Sequence, residues 1–146
     1  MPKCSKSVMR RGMTQGYRSG LEKSIGEQLA SLNVPYSYEC ERIPYITKGH
    51  TYTPDFKIGN LYIETKGYFL PKDRTKHLLL KEQYPEMDLR FVFTNPDQKL
   101  YKGAKTTYGE WCKKHGFIFS KRSIPESWLR EYLPKTWALS FLWIKR

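Results

Sequence analysis

The chain has 146 residues, enough for one domain with its own core, since domains most often run to about 100–150 residues. Its 39% hydrophobic and 15% aromatic content argues against a disordered chain, and a formal net charge of +12 makes a polyanion the natural partner. Nucleic acid is favoured over a membrane surface. Lysines and arginines that neutralise phosphates release counterions, whereas no basic amphipathic helix with a broad apolar face is visible. Cys4, Cys40 and Cys112 are far apart, with no CxxC pair. That pattern predicts reduced cysteines without disulfides or structural zinc. No apolar signal core follows the basic start, and the apolar stretch 137–144 is too short to span a bilayer, so the expectation is a soluble, cytoplasmic protein.

In chain order, residues 1–16 read as a flexible basic arm with Lys3, Lys6, Arg10 and Arg11 and no acid; Arg18 follows just beyond it. Leu21, Ile25, Leu29 and Leu32 share one helical face, and Ser19 with Glu22 forms a capping-box pattern at its start. Asn33 and Pro35 end that helix. Tyr36, Tyr38 and Cys40 then alternate with polar residues, as in a half-buried strand. Residues 42–51 read as an extended connection stiffened by Pro44. Two strands, 52–58 and 61–66, flank Gly59-Asn60, a spacing that predicts a tight hairpin. A helix is expected over 73–84 and a compact strand over 89–93. Thr107 with Glu110 opens a helix that Gly116 closes, a short strand covers 117–119, and Pro125 starts a last helix through Tyr132. The order α-β-β-β-α-β-α predicts a single α/β domain over 17–146, a small mixed sheet flanked by helices.

The hairpin carries the chemistry. With a two-residue turn, Asp55 falls opposite Glu64, and period 2 puts Lys66 on the same face. Two opposed carboxylates repel, so folding gains nothing from them unless a cation lies between. Mg²⁺ is the expected occupant, because it takes one or two carboxylates plus waters and substrate phosphate. Lys66 would then position water and offset charge on a phosphate during phosphodiester hydrolysis. The plain alternative is a solvated salt-bridge ladder in which Lys66 neutralises the acids.

Pro54-Asp55 followed by Glu64-Thr65-Lys66 resembles the PD-(D/E)xK nuclease signature. More specific words surround it: Tyr17-Arg18-Ser19-Gly20-Leu21-Glu22, His50-Thr51-Tyr52-Thr53-Pro54-Asp55-Phe56, Lys76-His77-Leu78-Leu79 and Leu100-Tyr101-Lys102-Gly103. Tyr108-Gly109-Glu110 and Lys114-His115-Gly116 agree with them. In this order they resemble phage endonuclease I, a family of four-way (Holliday) junction resolvases, over roughly residues 17–128. The last dozen and a half residues do not resemble that family's strongly basic tail.

The resemblance implies a restriction-endonuclease-like core in an intertwined homodimer whose elements are exchanged. It implies Glu22, Asp55, Glu64 and Lys66 as catalytic residues. Glu22, Asp55 and Glu64 would hold one or two Mg²⁺, with Mn²⁺ as a substitute and no small-molecule cofactor. Glu22 of one protomer would complete the site of the other, with residues 42–51 as the bridge; pattern alone gives Glu22 only a capping role. The substrate would be branched DNA cut on two strands in the cytoplasm of the host bacterium, with no membrane partner. Arg10, Arg11, Arg18, Lys72, Arg74 and Lys76 are the candidate DNA contacts. His50 and His77 are read as structural, and Tyr101 and Trp111 as core. Two alternatives stand beside this reading: another PD-(D/E)xK enzyme cutting mismatched or sequence-specific duplex, or a non-catalytic basic DNA-binding protein.

Overall fold

The computed structural model describes residues 16–45 and 49–133; the basic arm with Arg10 and Arg11, and the C-terminal segment from residue 134, lie outside them. Helix α1 (Gly20–Ser31) starts at Ser19, whose hydroxyl accepts from the Glu22 amide at 3.1 Å. The return half of the expected capping box is displaced by one residue, because the Glu22 carboxylate accepts from the Arg18 amide at 3.2 Å. Ile25 and Leu29 are fully buried, with Leu21 and Leu32 packed at the margin of the same cluster. The predicted alternating strand shrinks to β1 (Ser37–Tyr38), because Glu39 turns into the left-handed region at φ 49.

The stretch 42–51 is not extended. Its β2 (Ile43–Pro44) pairs antiparallel with β3 (Thr51–Tyr52), Ile43 opposite Tyr52, so the described ends of this segment lie side by side. Beyond it, β4 (Phe56–Ile58) and β5 (Leu61–Lys66) form the predicted hairpin in the predicted register, Ile58 opposite Leu61 and Phe56 opposite Ile63. Gly59 takes φ 58 in the turn, a conformation that costs glycine nothing. The long strand expected over 52–58 is broken in two. In this register Pro54 would oppose Thr65, and with no N–H it cannot continue the ladder.

Helix α2 (Pro71–Gln83) carries the chain over to β6 (Asp88–Phe93), and α3 (Tyr108–His115) carries it on to β7 (Ile118–Lys121), before α4 (Glu126–Tyr132). The five-stranded sheet has the order β1-β4-β5-β6-β7, antiparallel from β1 to β5 and parallel from β5 to β7. Thr107 and Glu110 make the full capping box, and Gly116 closes α3 at φ 72. Pro125 falls one residue earlier than expected, at the N-cap of α4.

Hydrophobic cores lie on both faces of the sheet. Residues of α1 and α4 pack with Phe56, Ile58, Leu61, Ile63 and Val92, while α2 and α3 enclose Leu89, Phe91 and Phe93 on the other face. Strand β6 is therefore covered on both sides, which is why it reads as a compact apolar run. Arg90 interrupts that run and is nonetheless buried, because Asp88 and Glu131 bind its guanidinium and the Trp128 and Tyr132 rings cover it.

One expectation fails. Tyr101 is 66% exposed rather than core, since the loop after β6 holds it outside both clusters; Trp111 is buried as expected. Cys112 is a free buried thiol.

Phe91 sits at the centre of the α2/α3 core, its ring against Phe69, Phe93, Phe117 and His77. Phe91→Ala is expected to cost about 3–5 kcal/mol by leaving a cavity among rings that cannot close it, and Phe91→Leu distinctly less. Urea unfolding of the two variants against wild type measures this.

Candidate active site

Asp55 stands where the hairpin ladder stops. Its Oδ2 accepts two hydrogen bonds from Thr65, from the amide and from the hydroxyl, both at 2.8 Å. The aspartate side chain thus takes the Thr65 amide just beyond the point where the backbone ladder ends. Its Oδ1 faces the Arg18 guanidinium at 4.0 Å. Glu64 and Lys66 lie together on the neighbouring strand as expected, with Lys66 Nζ 2.9 Å from Glu64 Oε1.

Glu22 reaches this place from α1. Its carboxylate accepts from the Ser19 hydroxyl at 3.2 Å, from the Arg18 amide and from the Tyr38 hydroxyl. With Asp55 and Glu39 it forms a group whose ligand oxygens lie within 4.8 Å of one another, and all three come from this one chain. Glu39 was not among the sequence candidates. Its left-handed backbone brings its own N–H onto the Asp55 carbonyl at 3.0 Å and its side chain toward Arg18, with which it forms an ion pair.

Glu64 is held from three sides. Tyr52 donates its hydroxyl to Oε2 at 2.6 Å, Lys66 occupies Oε1, and the buried His77 ring places Nε2 3.8 Å from Oε1. The Nδ1 of His77 is 2.7 Å from the Asp73 carbonyl, a contact that requires Nδ1 to carry the proton. Lys66 also meets Asp73, at 3.5 Å, and Asp73 anchors the start of α2 by accepting from the Leu70 amide at 3.1 Å. Tyr52, Asp73 and His77 as site-forming residues lay outside the signature. Tyr52 and His77 stand inside the family-like words with no site role read for them, and the structural reading of His77 fits its full burial.

Electrostatics separates the two central acids. Burial and then the Glu64 charge push Asp55 up to about 7, more than the Thr65 hydrogen bonds can offset. Burial acts on Glu64 in the same sense but is outweighed, and Glu64 lies below its ordinary value. Burial also drives His77 down to about 4, so near neutrality it is uncharged and the stabilisation of Glu64 falls to Lys66 and Lys76. The site accordingly takes up a proton on Asp55 where a cation could go. The donors are all hard oxygens, and one cationic group, the Arg18 guanidinium, already lies against them. That set suits a hard divalent cation.

The candidate DNA contacts fare unequally. Lys72 is exposed at the start of α2. Arg74 gives one N–H to the Phe69 carbonyl at 2.5 Å and lies over the Phe69 ring, so part of it is structural. Lys76 turns inward, 3.8 Å from Asp73 and over the Tyr52 ring. Arg18 is exposed, and its guanidinium pairs with Glu39 and lies 4.0 Å from Asp55.

The profile of the Phage endonuclease I family matches residues 3–145, wider than the span over which sequence words alone show the resemblance. Among curated relatives, the Endodeoxyribonuclease 1 of Enterobacteria phage T3 is 50% identical over 123 residues, 81% of each chain. The Endonuclease I of Escherichia phage T7 is 48% identical over 118 residues, 79% of each chain. With a family profile over almost the whole chain and relatives at about half identity, this chain belongs to the phage endonuclease I family.

Proposed function

We propose that this protein is a Mg²⁺-dependent DNA endonuclease that cuts four-way junctions and other branched DNA on two strands. The observation that carries the reading is Asp55, a buried carboxylate flanked by Glu22 and Glu39 on one side and by Glu64 and Lys66 on the other. Membership of a nuclease family and the +12 charge supply the polyanionic substrate. Among the described residues no helix is long and apolar enough to cross a membrane, which accords with action on DNA inside the host cell.

Asp55, Glu22 and Glu64 would hold the ion, with Glu39 beside them. A bound Mg²⁺, or Mn²⁺ in its place, supplies Lewis-acid polarisation of a phosphate oxygen and a lowered pKa for the attacking water. The protein's own groups do the rest. Lys66, ionised and pinned between Glu64 and Asp73, offsets charge that develops on the phosphate. Tyr52 fixes the Glu64 carboxylate in one orientation, and Thr65 does the same for Asp55.

A homodimer gives such an enzyme two sites related by a two-fold axis, matching the two strands of a junction that must both be cut. In the single chain the group forms in cis. The same contacts would form between protomers if residues 42–51 opened from a hairpin into a bridge, the arrangement that family resemblance favours. The helices on both sheet faces, and the acids where β4 meets β5, fit a restriction-endonuclease-like core.

Incubation of the protein with a labelled four-way junction and a matched linear duplex is expected to give paired nicks near the branch point with Mg²⁺, and none with chelator. Binding without cleavage in both Mg²⁺ and Mn²⁺ would leave the non-catalytic DNA-binding reading. Asp55→Ala is expected to bind the junction and to lose cleavage by at least about a hundredfold, as for loss of a group acting mainly in the transition state; a wild-type rate would refute the assignment.

The raised Asp55 pKa also fixes the sign of a pH effect. An unfolded aspartate releases its proton near 3.9 and the folded one only at about 7, so between these values the folded state binds more protons and its stability falls as pH rises. His77 acts oppositely, because the folded ring is neutral down to about 4 while the unfolded one charges below about 6.5. Asp55→Asn removes only the first effect. The metal-free variant should therefore gain stability over wild type as pH rises from 4 to 8, by at most about 4 kcal/mol at one pKa unit per 1.36 kcal/mol. Thermal melts in chelator across that range measure it, and equal pH profiles would show that Asp55 is not perturbed.

A further inference from the structure

Lys66 is followed at once by an unusual three-residue pattern. Tyr68 is 73% exposed, Phe69 1% and Leu70 46%. Two of the four large hydrophobic side chains most open to solvent among the described residues thus flank one of the most buried, within four residues of Lys66.

Single exposed apolar residues are common and need no explanation. This pair differs in how firmly it is presented. The Phe69 ring is wedged among Phe91, Phe93, Tyr108 and Trp111, with centroids 4.9 to 5.7 Å away. Arg74 holds the Phe69 carbonyl, Asp73 holds the Leu70 amide, and the Lys66 carbonyl accepts from Thr94 at 3.1 Å. Both ends of the segment are fixed, and Pro71 commits the chain to α2 directly afterwards. Tyr68 is therefore offered to solvent on a backbone with little freedom to withdraw it. Folding gains nothing from that; a ligand that stacks on the ring does.

The surroundings select the ligand. Lys66 ends β5 just before Tyr68, and the exposed Lys72 and half-buried Arg74 open α2 just after it, so cations flank the segment that presents the ring. Aromatic rings interleaved with lysine and arginine suit unpaired nucleotides, whose phosphates meet the charge while a base meets the ring. Two residues span at most about 7 Å, so Tyr68 lies within one or two base steps of a phosphate at Lys66.

We infer that Tyr68, backed by Leu70, stacks on a DNA base freed from its neighbours beside the scissile phosphate, and so favours branched over continuous duplex. This inference rests on the nuclease reading above. At a branch point a base already lacks a stacking partner, whereas in a linear duplex the same contact would require unstacking. Tyr68 is in this sense a specificity-determining residue that recognises a disrupted stack.

The test compares full-length wild type with Tyr68→Ala and Tyr68→Trp on a four-way junction and a linear duplex, each carrying 2-aminopurine beside the cleavage position, in Mg²⁺. The ring should quench 2-aminopurine in the junction complex for wild type and Tyr68→Trp but not for Tyr68→Ala. Junction affinity should fall about tenfold or more in Tyr68→Ala, with duplex affinity and melting temperature within twofold and one degree of wild type. Three results would overturn the inference. One is equal junction affinity and quenching in wild type and Tyr68→Ala. Another is equal loss on both substrates. The third is a change of sedimentation in Tyr68→Ala without DNA, which would assign the patch to contact with a second copy. A wild type that binds both DNAs and cuts neither would instead remove the nuclease reading, and this inference with it.

Discussion

Two carboxylates, Asp55 and Glu64, are kept within electrostatic reach of each other in a nearly water-free place, and that constraint organises the rest of the molecule. Left alone the pair would drive the hairpin apart. The protein answers asymmetrically. Glu64 receives an ammonium and a phenol hydroxyl, and stays ionised. Asp55 receives two neutral donors from Thr65 and a guanidinium no nearer than 4.0 Å, and so sits poised between proton and cation. One acid is a fixed feature of the site. The other is the variable one, and its charge depends on what is bound.

The sheet makes this arrangement affordable. Strand β5 is gripped along its whole length by β6, which is covered by helices on both faces, so the end bearing Glu64 and Lys66 cannot splay to relieve repulsion. Strand β4 is gripped for only three residues, and Asp55 stands just outside that ladder. The rigid partner thus carries the permanent charge and the looser one carries the acid that must exchange its counter-ion. Helix α1 adds Glu22 to the looser side through a cap that also orders its carboxylate.

Local pattern revealed a good deal of this. The Gly59-Asn60 turn and period 2 set the register that brings Asp55, Glu64 and Lys66 together, because a hairpin's geometry is decided within a dozen residues. Thr107, Glu110 and Gly116 likewise announce their helix through contacts no further than four residues away. What stayed hidden depends on distant contacts or on single backbone angles. Glu39 joins the acids through one left-handed residue, and Tyr52 reaches Glu64 only once β3 has folded alongside. The hydrogen bonds from Thr65 to the Asp55 side chain were equally hidden, and so were Glu39 and Asp55 as partners of the exposed Arg18.

The β2–β3 hairpin has a wider consequence. Tyr52 is paired with Ile43 through the backbone and bonded to Glu64 through its hydroxyl, so the connecting segment and the acid share one residue. Strand β3 is only two residues long, too short to absorb a shift within itself. A shift of β3 would therefore bear on the orientation of Glu64 Oε2. Through Tyr52, the backbone pairing of Ile43 is coupled to the placement of an acid a dozen residues further on.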